Sequence, residues 1–293
     1  MTSNDDDLDL LLAAIPPAAN ARALFVNAAP HRALAAWGDR IDCVQPWKPI
    51  ADGLGDLVDA PRPPYDAAFV RLQRQRERHL GDLACALDAL KPGGTLAVCG
   101  PNALGGARLA EDLRAMGVEA TATSKRKCRL VVATKPERLD LARWIAIDAP
   151  RHVAAIDAWS APGIFAWDRI DPGSALLLDL LPKLDGKIAD LGAGWGALAR
   201  TLPGSVDAYE ADARAIECLR KNVPGARAIW HDVTAGLLEG GYDAIVSNLP
   251  FHDPRGENRA LAEKFARAAK AALAPGGRFY AVANVHLPYE KTL

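Results

Sequence analysis

Asp190-Leu191-Gly192-Ala193-Gly194-Trp195-Gly196 follows the short apolar run Lys187-Ile188-Ala189 and precedes helix-compatible sequence from Leu198. Glycines at a strand-to-helix turn let the backbone approach a ligand, and the helix start aims unpaired N–H groups at it. The segment therefore predicts a ligand-binding loop in an α/β fold. Alone it is ambiguous, since Gly192, Gly194 and Ala197 also satisfy the dinucleotide fingerprint GxGxxG/A.

Outward from the loop, strands are predicted over Val206 to Glu210, Ala226 to Trp230, Tyr242 to Ser247 and Arg278 to Ala283, with helices over Ala213 to Asn222 and Arg259 to Leu273. The amino-terminal half repeats the plan. Strands are expected at Ala23 to Val26, Tyr65 to Val70, Thr95 to Cys99 and Arg129 to Ala133, and helices at Leu80 to Leu90 and Ala107 to Met116. Tyr65-Asp66-Ala67 matches Tyr242-Asp243-Ala244, and Leu90-Lys91-Pro92-Gly93-Gly94 matches Leu273-Ala274-Pro275-Gly276-Gly277. Two such matches in the same order indicate duplication of one doubly wound fold. The stretch from Lys135 to about Ala161 reads as the connection, placing domains at 1–140 and 141–293.

Chemistry concentrates in the second domain. Glu210 ends the next strand after the loop, where a carboxylate can accept hydrogen bonds from both hydroxyls of a ribose. Asp232, after the following strand, can accept one from an adenine amino group. Ser247-Asn248-Leu249-Pro250-Phe251-His252 leaves the fourth strand at the same edge. An exocyclic amine on a nucleic-acid base is a poor nucleophile because its lone pair is delocalised into the ring. The Asn248 side-chain oxygen and the Leu249 carbonyl can hold such an amine and favour tetrahedral character. Pro250 restricts the backbone, and Phe251 offers a face on which a base can stack.

Asp-Leu-Gly-x-Gly-x-Gly followed by Asn-x-Pro-Phe-His resembles the amino-methylating class I methyltransferases. Gly163-Ile164-Phe165, Ile170-Asp171-Pro172-Gly173-Ser174 and Ala283-Asn284-Val285-His286-Leu287-Pro288-Tyr289 resemble the ribosomal RNA guanine-N2 methyltransferases among them. The resemblance implies two tandem Rossmann-like methyltransferase folds, the amino-terminal one degenerate: its loop reads Val26-Asn27-Ala28-Ala29-Pro30-His31, and Arg71-Leu72-Gln73 stands where Asn248 would. It implies S-adenosylmethionine as cofactor, held by Asp190, Gly192, Ala193, Gly194, Gly196, Glu210, Asp232 and Asn248 and covered by Phe165. The implied activity is methylation of a guanine N2 amine in small-subunit ribosomal RNA, with Asn248, Leu249, Pro250 and Phe251 at the reacting centre and His252 touching substrate. Two departures are visible. Leu249 stands where that family usually has proline, although a backbone carbonyl suffices there. The sequence ends at Leu293, where relatives continue into a last hairpin strand, so an open sheet edge is expected.

Other amines or amides, in adenine or protein glutamine, are the alternative targets, and a noncatalytic RNA-binding or assembly protein is the alternative class. The net charge of -1 does not announce a nucleic-acid binder. Arg71, Arg74, Arg76 and Arg78, with Lys125, Arg126, Lys127 and Arg129, nevertheless make two local basic clusters in the amino domain, and Arg74, Arg76, Lys125 and Lys127 are the expected contacts to RNA phosphates. The five cysteines are scattered and form no CxxC pair, which argues against disulfides and a zinc site. A monomer without metal or membrane association, in the cytoplasm, with ribosomal RNA or the small ribosomal subunit as partner, is the expected state.

Overall fold

The computed structural model describes residues 6–55, 57–250 and 257–283. It divides into two compact units, one holding residues up to 46 and 50–149, the other 47–49 and residues from 150 onward. In chain order the elements are α1 (Asp6–Ala13), β1 (Ala23–Val26), β2 (Ile41–Val44), α2 (Lys48–Ala51), β3 (Tyr65–Arg71), α3 (Arg76–Ala89), β4 (Leu90–Pro101), α4 (Leu109–Ala115), β5 (Ala120–Lys125), β6 (Cys128–Thr134) and α5 (Ala142–Asp148). They continue with β7 (Arg151–Val153), β8 (Ala158–Ser160), α6 (Pro172–Leu180), β9 (Ile188–Leu191), β10 (Val206–Glu210), α7 (Ala213–Asn222), β11 (Arg227–Trp230), β12 (Tyr242–Asn248), α8 (Glu257–Ala272) and β13 (Leu273–Val282).

The amino unit's sheet runs β2-β1-β3-β4-β6-β5, with β2, β1, β3 and β4 parallel and β6 and β5 closing it antiparallel. Parallel strands must be covered on both faces, which is why β1 reads as unbroken Ala-Leu-Phe-Val and is buried throughout. On one face Leu24, Val26 and Val70 meet Leu83, Leu87 and Leu113. On the other, Phe25 and Phe69 meet Leu8, Leu11 and Trp37. The carboxyl unit's sheet, β11-β10-β9-β12-β13, is wholly parallel among the described residues. Strand order reverses at β9, so the loops after β9, β10 and β12 meet at one carboxyl edge, the crevice where such sheets bind ligands.

Matching geometry accompanies the matching sequences. Tyr65 faces Leu90 and Ala67 faces Thr95, so Lys91-Pro92-Gly93-Gly94 loops out between them; Tyr242 faces Leu273 and Ala244 faces Arg278 with the same offset. Asp66 accepts from the Arg22 N–H at 2.9 Å, as Asp243 does from the Lys187 N–H at 2.8 Å. The Tyr65 hydroxyl donates to Asp42 at 2.6 Å, and the Tyr242 hydroxyl to Asp207 at 2.7 Å. Arg22 lies 4.8 Å from the Tyr65 ring centre, and Lys187 lies 4.6 Å from that of Tyr242. Both units are thus copies of one plan, and the strand registers align Phe25 with Asp190, Asn27 with Gly192, Ala29 with Gly194, Gln45 with Glu210 and Arg71 with Asn248.

Some expectations differ from the structure. The helix expected from Leu198 is only a 3-10 turn, Ala199–Thr201, because Pro203 and Gly204, the latter at φ 72°, end it at once. The expected connection contains α5, whose Trp144, Ile145 and Ile147 pack into the amino unit's core; the border therefore falls at 149/150 and not 140/141. No described helix is long and apolar enough to cross a membrane. The five cysteines are free thiols, four of them buried.

Candidate active site

Beyond the carboxyl ends of β9, β10 and β12 lies a cleft of about 780 Å³, a size suited to a small-molecule cofactor. Asp190, Gly192, Ala193, Gly194, Glu210, Asp232, Asn248, Leu249, Pro250 and Phe165 all line it. Gly196 does not. A Cβ there would come within 2.7 Å of Leu219 and 3.0 Å of Val223, so this glycine lets the loop pack onto α7 and is not a cleft contact. Phe251, His252 and the segment from Asn284 to Tyr289 lie outside the described residues.

With no long helix behind it, the loop is organised by carboxylates. Asp190, fully buried on β9, accepts from the Ala199 N–H at 3.0 Å through Oδ2, while its Oδ1 has no hydrogen-bond partner among the described residues. Burial pushes its carboxyl up to about 7 against the opposing Ala199 N–H bond, with the nearby Glu210 charge adding a smaller push upward. Glu210 accepts from the Gly194 N–H and the Asp212 N–H, each at 2.8 Å, and burial pushes it too up to about 7 despite those bonds. Gly194 sits at φ 57° with open space where a Cβ would be, so the backbone there is bare toward the cleft. Asp232 caps the turn Val233–Ala235, accepting from the Thr234 N–H and hydroxyl at 2.8 and 2.9 Å. His231 contacts the Gly236 carbonyl at 2.7 Å and stands edge-on to Tyr209, a packing position. Trp195 is buried and donates to the Ala166 carbonyl at 3.2 Å, which ties the loop to the segment carrying the half-exposed Phe165.

An orphaned buried carboxylate oxygen, a glycine cradle and two further acids along one edge fit a cofactor bearing cationic and hydroxyl groups. The amino unit cannot offer this. Phe25 replaces Asp190, Gln45 replaces Glu210 and donates at 2.6 Å to the Ala28 carbonyl in its own loop, and Asn27 takes the place of Gly192 at φ 55°. Arg71, at the Asn248 position, is ion-paired with Asp7 at 2.9 Å.

On β12 the Asn248 amide nitrogen donates to Asp171 Oδ2 at 2.8 Å and Ser174 Oγ at 2.9 Å. Sequence reasoning gave Asp171 and Ser174 no role. Asp-Pro-Gly-Ser does carry a helix-start signature, with Asp as cap and Pro in the first turn, and Asp171 caps α6. The basic clusters are only partly available. Arg76 is exposed and also paired with the buried Asp112 at 2.7 and 3.3 Å. Arg78 is bound to Asp82, and Arg126 to Asp6 and Asp9. Arg74 and the Lys125 and Lys127 pair at the β5–β6 turn are exposed. No group of three metal-ligating side chains occurs among the described residues.

Residues 155–293 match the family model described as "Methyltransferase small domain". The ribosomal RNA small subunit methyltransferase C of Chromohalobacter salexigens is 33% identical, over 88% of this chain and 80% of that one. The chain belongs to this family. A Shewanella amazonensis member is 34% identical over 70% of this chain, which spans 64% of that relative's length. The Thermus thermophilus 16S rRNA N2 G1207 methyltransferase, solved in complex with AdoMet and guanosine, superposes with a TM-score of 0.78 at 25% identity, covering 99% of this chain and 86% of that one. This chain and the Thermus relative therefore share the plan of two tandem methyltransferase-like folds.

Proposed function

We infer that the protein transfers a methyl group from S-adenosylmethionine to the exocyclic N2 amine of a guanine in small-subunit ribosomal RNA of the 16S type. One observation carries the reading. Asn248 shares a cleft with the glycine loop and Glu210, and its amide nitrogen is committed to Asp171 and Ser174, so its carbonyl is the end left for a substrate N–H. Family membership supports the reaction class, and the Thermus relative's guanosine complex supports the base.

The cleft suits the cofactor residue by residue. Asp190 Oδ1 would take the cationic amino-acid portion, Glu210 the ribose hydroxyls and Asp232 the adenine amino group, with the Gly192–Gly194 backbone close against them and Phe165 as a cover. When bound, the cofactor supplies an electrophilic methyl on a sulfonium. The chain's own work is to make a weak nucleophile competent. Asn248 Oδ1 and the Leu249 carbonyl accept the two N–H bonds of the guanine amine, withdraw it from conjugation and aim its lone pair. Leu249 is held for this by its N–H donating at 3.2 Å to the Val282 carbonyl on β13. Pro250 stiffens the turn, Phe251 provides the stacking face, and His252 contacts the substrate.

The degenerate amino unit gives structural support and RNA affinity, with Arg74, Lys125 and Lys127 meeting phosphates and Arg76 paired with Asp112. In this reading the protein works as a monomer, without metal, in the cytoplasm. The test is incubation with labelled cofactor and separated RNA, DNA and protein fractions, followed by nucleoside mass spectrometry. N2-methylguanine in small-subunit RNA is expected; label on adenine or on protein overturns the substrate.

A further inference from the structure

An asparagine amide has nearly the same shape at both ends and opposite polarity. Turned by 180°, Asn248 would present NH2 to the cleft, a donor facing the N–H bonds of the target amine. Something must fix which end points out, and the structure holds it 77 and 74 residues upstream. Asp171 Oδ2 accepts from Asn248 Nδ2 at 2.8 Å; the flipped amide would set oxygen against oxygen. Ser174 Oγ, on a buried side chain, takes the same nitrogen at 2.9 Å.

The acceptors are themselves rigid. Asp171 Oδ2 also accepts from the Gly173 and Ser174 N–H groups at 2.9 and 3.2 Å, so it is fixed by the first turn of α6, which is seated in the core through Leu177. Gly173 permits the approach: a Cβ there would lie 2.9 Å from Asp171 Oδ2 and 3.5 Å from Asn248 Oδ1. A hydrogen bond from an amide nitrogen to a carboxylate also shifts electron density toward the carbonyl oxygen, making it a stronger acceptor.

We propose that Asp171 and Ser174 are positioning residues for methyl transfer, which orient and polarise the Asn248 amide so that Oδ1 faces the target amine; this rests on the functional reading above. The test compares kcat, RNA KM and calorimetric cofactor Kd for Asp171→Ala, Asp171→Asn and Ser174→Ala, alone and combined with Asn248→Ala. Asp171→Asn keeps a competent helix cap, and Ser174→Ala keeps the backbone N–H bonded to Asp171, so neither depends on surviving the loss of that cap. In the single variants kcat should fall, by about 10-fold or more for Asp171→Ala and less for the other two, with KM and Kd within about twofold. On the Asn248→Ala background the same changes should have no further effect on kcat, because the group they act through is gone. Wild-type kcat in both Asp171→Asn and Ser174→Ala, or an equal loss with and without Asn248, overturns the proposal. A full rate in Asn248→Ala alone instead overturns the functional reading beneath it.

Discussion

Replacing Asn248 with alanine should separate binding from chemistry. The substitution removes one of two acceptors assigned to the target amine, and leaves Asp190, Glu210 and the glycine loop untouched, since none of them bonds to Asn248. The local structure should hold, because Asp171 keeps its bonds to the Gly173 and Ser174 N–H groups and Leu249 keeps its N–H bond to Val282. Loss of one preorganised contact that strengthens in the transition state costs on the order of 10²-fold in kcat, or about 2.7 kcal/mol. Cofactor Kd, measured by calorimetry, should stay within about twofold, since the uniform binding contacts remain. Single-turnover methylation of purified small-subunit RNA, read by nucleoside mass spectrometry, is the appropriate assay. A variant that methylates at the wild-type rate, or one that loses cofactor binding in proportion to activity, would refute the assignment of Asn248 to the amine.

Gly194, at φ 57° with its N–H on Glu210, should not tolerate a bulky residue; Gly194→Trp should abolish cofactor binding in a calorimetric titration, and unchanged affinity would remove the cofactor site from this loop. Asp190 and Glu210, both pushed by burial up to about 7, are largely protonated at pH 5, whereas hydroxyl and ammonium partners prefer the ionised form. Cofactor affinity should therefore rise with pH, by up to about tenfold per unit for each ionisation required, and level off above about 7. For the same two groups the folded pKa exceeds the unfolded one, so the cofactor-free protein should lose stability as pH climbs from about 4 through 7, and a flat affinity profile from pH 5 to 8 would contradict the linkage. Changing Arg74, Lys125 and Lys127 together to alanine should weaken RNA binding and reduce the slope of log K against log salt by about 2–3, with cofactor Kd constant; an unaltered slope would take RNA contact away from these three residues.

The sequence by itself determined the parts of this protein that depend on local chemistry and on order along the chain. Glycines after a short apolar strand, an acid at the end of the next strand and Asn-x-Pro after the fourth describe one edge of a doubly wound sheet, because in that topology those loops must converge. The duplication was legible from Tyr-Asp-Ala and Pro-Gly-Gly alone, and the replacement of the loop glycines by Asn27 and Ala29 marked the amino unit as degenerate. What the tertiary structure decided are the relations between residues far apart in sequence. Asp171 reads locally as no more than a helix cap; only the folded sheet sets its carboxylate against Asn248, so one oxygen serves both α6 and the Asn248 amide. Arg76 reads as one more exposed cation, and it is exposed, but only the fold supplies the buried Asp112 with which it pairs. Gly196 belongs to the motif by spacing, yet it faces α7, where a Cβ would meet Leu219 and Val223. The raised carboxyls of Asp190 and Glu210 are likewise invisible in the sequence: side-chain type sets the ordinary value, and the shift comes from the desolvation that the surrounding packing imposes.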